Sequence, residues 1–303
     1  MRLKADLILF LISIIWGSAF VALRVAGQAG SVYFFNGIRY LLAGLVVFPL
    51  AIRSLRGVPQ GLLSSALPRG QFKWMMLAGF LLFLASAFQQ VGIAFTTAGN
   101  AGFITSLYVV LVPVLLFLFW RERLRWLSAT AVGIALLGAF LLSTGGRFEV
   151  HMGDTLEFAG ALFWALHVII VGKFAMHYES ISFSVGQLVV CGLLNLGVAV
   201  FAETSMPLDW SLVAAILYTA LLSLGLCYTL QIWAQRHTPP ADAALILSLE
   251  SVFAVLAGWW LLGERLKGIQ VMGCVLIFMA VLLSQFKDWT SSTIAQPNLP
   301  EDR

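Results

Sequence analysis

A single carboxylate interrupts a long apolar run near the C-terminal end of this sequence. The segment 246–260 reads ILSLESVFAVLAGWW, and only Ser248, Glu250 and Ser251 in it are neither apolar nor glycine. Removing a charged group from water is costly unless it is partnered, so an ionisable residue in such a segment is a functional candidate. Three interpretations of Glu250 are open. It binds a proton or a positively charged ligand group, it is a structural glutamate held by a neighbouring helix or by Arg39, or it belongs to an inward-facing polar wall and has neither role.

Other apolar runs also contain polar and aromatic side chains. Gln89 and Gln231 offer hydrogen-bond donors and acceptors, and Tyr228 lies one helical turn before Gln231 on the same face. Trp16 and Trp164 could stack on a ligand or form a gate. Each of these residues also has a structural interpretation, which is interhelical hydrogen bonding for the glutamines and packing for the tryptophans.

The elements that position these residues are apolar helices long enough to cross a bilayer. Of 303 residues, 60% are hydrophobic and 11% are charged, whereas a soluble domain has about 25% charged residues. The runs are apolar on every side, which excludes the alternation of a transmembrane β-barrel. Ten spans are predicted, at 5–26, 31–53, 72–94, 97–120, 126–144, 154–175, 182–203, 210–235, 239–262 and 266–287. The first is interpreted as an uncleaved span, since nine more follow it.

The basic residues predict the orientation. With the N-terminus inside, thirteen Lys and Arg residues fall on the cytoplasmic side and four on the other side. This distribution predicts that both termini are cytoplasmic, and it explains the net charge of +4 without a nucleic-acid partner. The three cysteines and four histidines are scattered, so neither a disulfide nor a metal site is predicted. The polar segment 288–303 is predicted to be a disordered cytoplasmic tail.

An internal repeat relates the two halves of the chain. Residues 96–124 align without a gap on 238–266, at an offset of 142, with nine of 29 positions identical. Trp16 aligns with Trp164, and Arg39 with Gln187, at an offset of 148. The repeating unit has five spans, an odd number, so the two halves must cross the membrane in opposite directions. Inverted repeats of this kind are typical of transporters.

These motifs resemble the EamA-type family of the drug/metabolite transporter superfamily. The resemblance rests on IIWGSAFVALR (14–24), RYLLAGLVV (39–47), SLESVFAVLAGWWLLGE (248–264) and the Glu-Arg-Leu that closes each half. It implies a bacterial inner-membrane exporter of amino acids or other small metabolites, with a cavity between the halves and span two at its periphery. Many relatives have proline where this chain has Ser251, so the sequence does not itself predict the kink that proline produces.

The expected fold is an all-α membrane protein, with ten transmembrane helices in two inverted five-helix repeats (5–145 and 152–287) around a central cavity. No ATP-binding GxxxxGK[ST] motif occurs, so the predicted function is secondary transport by alternating access, driven by a gradient of protons or of the substrate. The expected partners are a small-molecule substrate and the lipid bilayer, with proton coupling possible, no cofactor and no required protein partner. The expected substrate-binding residues are Trp16, Gln89, Thr105, Tyr108, Trp164, His167, Tyr228, Gln231 and Glu250. Glu250 and Arg39 form the expected coupling or ion pair.

Two alternatives remain. A transporter of cationic drugs or other metabolites would share these motifs, although a nucleotide-linked sugar would need more basic residues than Arg39 alone. A membrane-embedded enzyme is the remote alternative. It would need paired catalytic groups, whereas the candidate aspartates sit at the ends of predicted spans and no HExxH motif occurs.

Overall fold

The computed structural model describes residues 1–28, 31–56, 69–96, 98–122, 126–144, 152–175, 178–203, 209–263 and 267–294, and all secondary structure in these ranges is helical. The N-terminal helices are α1 (Arg2–Gln28), α2 (Tyr33–Arg56), α3 (Arg69–Ile93), α4a (Ala98–Ser106), α4b (Tyr108–Trp120) and α5 (Trp126–Thr144). The C-terminal helices are α6 (Met152–Phe174), α7 (Ser180–Ala202), α8 (Trp210–Ala234), α9a (Pro240–Leu247), α9b (Glu250–Leu262) and α10 (Gly268–Ile294).

Most of these helices can span a membrane. Eight candidate spans are long and apolar enough, if the two parts of α4 and of α9 are each taken together, while α5 and α10 contribute the shorter apolar stretches Trp126–Leu142 and Gly268–Leu283. The protein is therefore a multi-pass membrane protein. Helix α10 continues to Ile294, so residues 288–294 are helical where the sequence predicted a disordered tail, and residues 295–303 lie outside the described ranges.

The helices pack in a pattern that repeats when each helix number is shifted by five. Helix α2 packs on α7, and α5 packs on α10, so that each of these helices contacts its own repeat mate. The contacts of α1 with α8 and α9 are matched by those of α6 with α3 and α4. This exchange of partners is the packing expected of two related halves.

Helices α4 and α9 are each interrupted at equivalent positions. The backbone N–H of Leu107 bonds to the carbonyl of Ile104 (3.1 Å), and the backbone N–H of Leu249 bonds to that of Ile246 (3.2 Å), three residues back instead of four. At each interruption a serine hydroxyl also bonds three residues back. Ser106 donates to Phe103 and Ser248 to Leu245, both at 2.7 Å. Serine bonding to the preceding turn bends helices, so α9 is broken just before Glu250 without a proline.

Close helix contacts and a distant cap fix the remaining geometry. A Cβ atom on Gly17 of α1 would lie 2.5 Å from Cβ of Phe253 and 2.6 Å from the carbonyl oxygen of Glu250, so only glycine allows α1 to approach α9b this closely. At the start of α2, the Glu203 carboxylate from the end of α7 accepts backbone N–H groups of residues 32–34 at 2.7 to 2.9 Å. These N–H groups have no partner within their own helix, so Glu203 ties α2 to α7.

Candidate functional site

A cavity lies at the centre of the helix bundle, between the two halves of the chain. The volume of this cavity is about 50 Å³, so its walls lie close together. Its lining comes from α1, α2, α3, both parts of α4, α6, α8 and α9b. The lining residues are Trp16, Ala19, Phe20, Leu23, Arg39, Tyr40, Gln89, Thr105, Tyr108, Trp164, Val168, Ser223, Leu224, Tyr228, Gln231 and Glu250.

Glu250 and Tyr108 occupy equivalent points on the cavity wall. They are the first residues of α9b and α4b, directly after the two helix interruptions. The positive end of a helix dipole lies at its N-terminus, so both half-helices direct that end toward the cavity. Glu250 is 4% exposed and Tyr108 is 3% exposed. The two side chains are polar neighbours, and within the described part of the chain no other hydrogen bond to Oε1 of Glu250 is formed.

Arg39 supplies a positive charge to the same cavity. Its Nε donates to Oδ1 of Asn36 at 3.0 Å, and its guanidinium carbon lies 5.0 Å from the centroid of the Phe35 ring and 5.1 Å from that of Tyr40. No carboxylate of the described residues forms a salt bridge with Arg39. The predicted ion pair between Arg39 and Glu250 is therefore not formed in this structure.

Aromatic rings form one side of the cavity. The ring centroid of Tyr228 lies 5.3 Å from that of Trp16 and 6.4 Å from that of Trp164, with the Trp164 ring nearly parallel to it at 11°. The Trp16 indole N–H donates to the Ser223 carbonyl at 2.8 Å. Ser223 belongs to the π-helical middle segment of α8, Thr219–Leu226. Segments of π-helix occur frequently at functional sites because they leave backbone groups free of the regular ladder.

Several buried polar groups on the cavity wall lack a partner within the described chain. Both amide atoms of Gln231 and the indole N–H of Trp164 belong to this set. Buried polar groups in proteins are nearly always hydrogen-bonded. Those on the cavity wall face a space that water or a polar ligand can enter.

The structure brings together most of the residues expected to bind substrate. All of them line the cavity except His167. His167 is fully buried behind Trp164 and Tyr228, and its Nε2 lies 2.9 Å from Oε1 of Gln187. One expectation was wrong: span two was expected at the periphery, yet Arg39 and Tyr40 of α2 line the cavity.

The sequence interpretation missed a fully buried carboxylate close to the cavity. Glu157 in α6 is 0% exposed, and its Oε2 accepts the Thr105 hydroxyl at 3.2 Å. The Thr105 oxygen in turn accepts the Gln89 amide at 3.0 Å. Glu157 lies just three residues inside the predicted span 154–175, so the sequence offered no reason to separate it from the polar residues at span ends.

Two equivalent hydrogen bonds lie on either side of the cavity. The Thr238 hydroxyl donates to Oδ1 of Asp6 at 2.7 Å, and the Thr96 hydroxyl donates to Oδ1 of Asp154 at 2.9 Å. The threonines are related by the offset of 142 and the aspartates by the offset of 148. We call these the first contact (Asp6–Thr238) and the second contact (Asp154–Thr96).

The two contacts lie at opposite ends of the bundle. The turn that contains Thr238 is joined to the turn after α6 by a hydrogen bond from the Arg236 side chain to the Tyr178 carbonyl. Asp154 is at the other end of α6, a helix of 23 residues and roughly 34 Å. At the first contact Arg2 adds a salt bridge to Asp242, at 2.7 Å, and lies 3.7 Å from Asp6.

A helical membrane protein with a polar central cavity between two related halves has the architecture of a membrane transporter. The EamA-like transporter family model matches the chain twice, over residues 3–144 and 151–286. The chain belongs to the EamA-like transporter family. Within the described residues, no group of three or more His, Cys, Asp or Glu side chains could hold a metal ion.

Relatives are similar along nearly the whole chain. An "Uncharacterized transporter" of Archaeoglobus fulgidus is 33% identical over 282 residues, covering 93% of this chain and 86% of the relative. The "Uncharacterized inner membrane transporter YedA" of Escherichia coli K12 is 27% identical, covering 91% of this chain and 88% of the relative. An "S-adenosylmethionine/S-adenosylhomocysteine transporter" of Chlamydia muridarum is 24% identical, covering 90% and 91%. A solved crystal structure shares the fold, with a TM-score of 0.74 at 20% identity and coverage of 95% and 98%.

Proposed function

We propose that this protein is a secondary transporter that exports small zwitterionic metabolites, amino acids and their derivatives, from the cytoplasm by alternating access. The observation that carries the proposal is the presence of Arg39 and Glu250 on one buried cavity without a salt bridge between them. The membrane-transporter class follows from the family. The substrate and the direction of transport are the proposal.

A zwitterion satisfies both charges at once. Its carboxylate can bind the guanidinium of Arg39, because arginine presents a fork of N–H donors that matches a carboxylate. Its ammonium can bind Glu250 beside the Tyr108 hydroxyl. An uncompensated charge in a buried site is costly, so a ligand that carries only one charge leaves one of these two side chains unpaired.

The aromatic wall suits the rest of such a molecule. Trp16, Trp164 and Tyr228 provide an apolar surface against which a side chain or a ring can pack. The name of the Chlamydia muridarum relative includes S-adenosylmethionine, a molecule that contains an α-amino acid group, a positively charged sulfonium and an adenine ring. That chemistry combines a zwitterionic end with a part that aromatic rings can hold.

Alternating access is supported by the two equivalent contacts. Asp6–Thr238 and Asp154–Thr96 connect equivalent helices of the two halves at opposite ends of the bundle. Exchanging the packing of the two halves would break one contact and keep the other, which would open the cavity to one side at a time. In the orientation predicted from the basic residues, the first contact lies on the cytoplasmic side.

Export of cations is the second candidate. The observation that favours it is a carboxylate, Glu250, in a cavity with aromatic walls, which together attract positive charge. Arg39 opposes it, because a cationic substrate would enter beside a buried guanidinium. Replacing Arg39 should therefore weaken transport of a zwitterion but leave transport of a simple cation unchanged or improved.

Counterflow in proteoliposomes tests the proposal. The probes are labelled leucine, phenylalanine, S-adenosylmethionine, spermidine and tetraphenylphosphonium, with wild type beside Arg39→Gln and Glu250→Gln. We expect wild-type exchange of at least one zwitterion, recovered chemically unchanged by mass spectrometry, and a loss of at least tenfold in each variant. Arg39→Lys keeps the charge but loses the planar set of N–H donors, so its exchange rate should lie between those of wild type and Arg39→Gln.

Three results would count against the proposal. Exchange of spermidine or tetraphenylphosphonium alone, undiminished in Arg39→Gln, would establish the cation exporter. Chemical alteration of a probe would indicate an enzyme. No exchange of any zwitterion by wild-type protein that elutes as a single species in size-exclusion chromatography would reject amino acids as the substrate class.

A further inference from the structure

Glu157 is a buried carboxylate that the proposed substrate site does not use. It is 0% exposed and lies behind the cavity wall, since Thr105 and Gln89 line the cavity and Glu157 does not. No basic side chain of the described residues forms an ion pair with it. Its Oε1 has no hydrogen-bond partner among them, while its Oε2 has only the Thr105 hydroxyl.

The equivalent position in the first repeat shows that packing does not require a carboxylate there. Leu9 corresponds to Glu157 at the offset of 148, and it is also 0% exposed. A leucine is therefore buried at the equivalent position of the fold. A carboxyl group that is buried at such a depth, with no cation and no cavity beside it, is stable only when it carries a proton. Glu157, unlike Glu250, does not line the cavity, so it has a reason to bind a proton.

Glu157 is connected both to the cavity and to the second contact. Toward the cavity, the Thr105 hydroxyl donates to Glu157 and its oxygen accepts the Gln89 amide. Along α6, Asp154 of the second contact lies one turn before Glu157. At this end α6 packs tightly on α3, where a Cβ atom on Gly92 would lie 2.9 Å from Cγ of Glu157.

We propose that Glu157 is the proton-binding residue of the transport cycle. Opening of the second contact hydrates Glu157 from the outer side, and a carboxylate oxygen forms an O–H bond with a proton delivered by a hydronium ion, which becomes water. When the bundle has reversed, that O–H bond breaks and its proton passes to the Thr105 oxygen, while the original Thr105 hydroxyl proton passes to water in the cavity and leaves Glu157 ionised. Protons thus move inward as substrate moves outward. This inference rests on the proposed function, because the proton drives the export proposed above.

Few charged groups surround Glu157. On its own helix, Asp154 is the titratable neighbour whose charge reaches it. Gly92 of α3 and Thr105 of α4a lie against it, and neither residue titrates. Asp154 accepts a hydrogen bond from Thr96 when the second contact is formed. Opening of that contact therefore changes the surroundings of both carboxyl groups together.

Infrared spectroscopy of the purified full chain in lipid nanodiscs tests proton binding without a substrate. The probe is the proton itself, observed as the C=O stretching band of a protonated carboxylic acid while the pH is raised. Glu250 is also buried without a basic partner among the described residues, so it is replaced by glutamine in the parent protein of this measurement. In that background we expect a band at neutral pH that disappears in Glu157→Gln and persists in Asp154→Asn. A band that is unchanged in Glu157→Gln, or no band in the Glu250→Gln parent at neutral pH, would overturn the proposal.

Transport of labelled leucine under an imposed pH gradient tests coupling. Because glutamine keeps the shape and the hydrogen bond to Thr105, Glu157→Gln should retain leucine exchange within a few-fold, while accumulation driven by the pH gradient falls at least tenfold. Thr105→Val should lose the same accumulation, and Thr105→Ser should retain it. Equal accumulation by wild type and Glu157→Gln would refute proton coupling through this residue. If wild type exchanges no leucine at all, the proposed function fails for this probe, and the infrared band still decides the role of Glu157.

Discussion

Two single substitutions, each of which removes a threonine hydroxyl from one end of the bundle, should shift the conformational equilibrium in opposite directions. In Thr238→Val the first contact loses its donor to Asp6, and in Thr96→Val the second contact loses its donor to Asp154. Valine has nearly the shape of threonine, so the change is confined to the hydroxyl. If both contacts close the cavity, Thr238→Val should favour opening at the cytoplasmic end and Thr96→Val opening at the outer end.

The size of the effect follows from the bond that is lost. A hydrogen bond to a charged acceptor contributes about 1.5 to 3 kcal/mol. The bond exists only while its end of the bundle is closed, so its loss shifts the equilibrium between closed and open by about tenfold to a hundredfold. At the first contact Arg2 remains near Asp6, at 3.7 Å, which places the effect of Thr238→Val toward the smaller value.

Cysteine accessibility from each side measures this shift. Cys191, Cys227 and Cys274 are replaced by alanine, and Ser223→Cys on the cavity wall is labelled with a maleimide that does not cross membranes. The reagent is added to right-side-out and to inside-out vesicles in separate samples. Thr238→Val should raise the labelling rate at least severalfold in inside-out vesicles only, and Thr96→Val in right-side-out vesicles only.

The matched controls are Thr238→Ser and Thr96→Ser, which keep the hydroxyl and should label as the parent does. The same change in labelling from both sides would indicate general loosening of the bundle. No change from either side in both valine variants would refute the assignment of the two contacts as closures of the cavity.

Other substitutions test how the helices are held. Glu203→Ala should lower the free energy of unfolding by about 2 to 3 kcal/mol, because charge-assisted bonds to three backbone N–H groups at the start of another helix are lost. Glu179→Ala removes only the cap of its own helix and should lower it by about 1 kcal/mol. Thermal unfolding in detergent compares the two variants. Gly17→Ala should force α1 away from α9b and lower both the unfolding temperature and the exchange rate, whereas Gly197→Ala, whose added methyl meets nothing within 4 Å, should change neither. Asp209 caps α8 just before its membrane span, and the donors of this cap, the Leu212 backbone N–H and the Ser211 hydroxyl, hold the pKa of Asp209 below its ordinary value. The cap should therefore be intact at every pH above the lowered pKa and should be lost as the pH falls through it. Asp209→Asn should remove that pH dependence in amide hydrogen exchange of the first turn of α8.

The sequence predicted the helices well because each span is a nearly continuous apolar segment with clear ends. The register of the internal repeat also identified residues that have the same structural role in both halves. Ser106 and Ser248 are identical at the offset of 142, and they make the same bond to the preceding turn at the same helix break. The sequence comparison alone gave no reason to expect a break, since neither position is a proline.

The candidate site was harder to predict because it depends on how helices pack. Arg39 was assigned to a peripheral span, yet it reaches the cavity with Tyr40. Glu157 was passed over because its position near a span end is compatible with solvent, and only the packing of α3 and α4a buries it. Hydropathy describes the depth of a residue along one helix, and it carries no information on what covers that helix.

The two halves share their helix breaks and end contacts but differ in their charged residues. Identical pairs lie at the helix breaks, at the two end contacts and also on the cavity wall, where Trp16 pairs with Trp164 and Gln89 with Gln231. The pairs that contain a charged side chain differ in chemistry. They are Tyr108 with Glu250, Arg39 with Gln187, and, behind the wall, Leu9 with Glu157. An exchange between two packings needs equivalent hinges and contacts in both halves, but a symmetric set of charges would bind a substrate equally well in two opposite orientations. With the Glu250 carboxyl group in the second half and the Arg39 guanidinium in the first, the cavity has one polarity, as the proposed zwitterionic substrate requires.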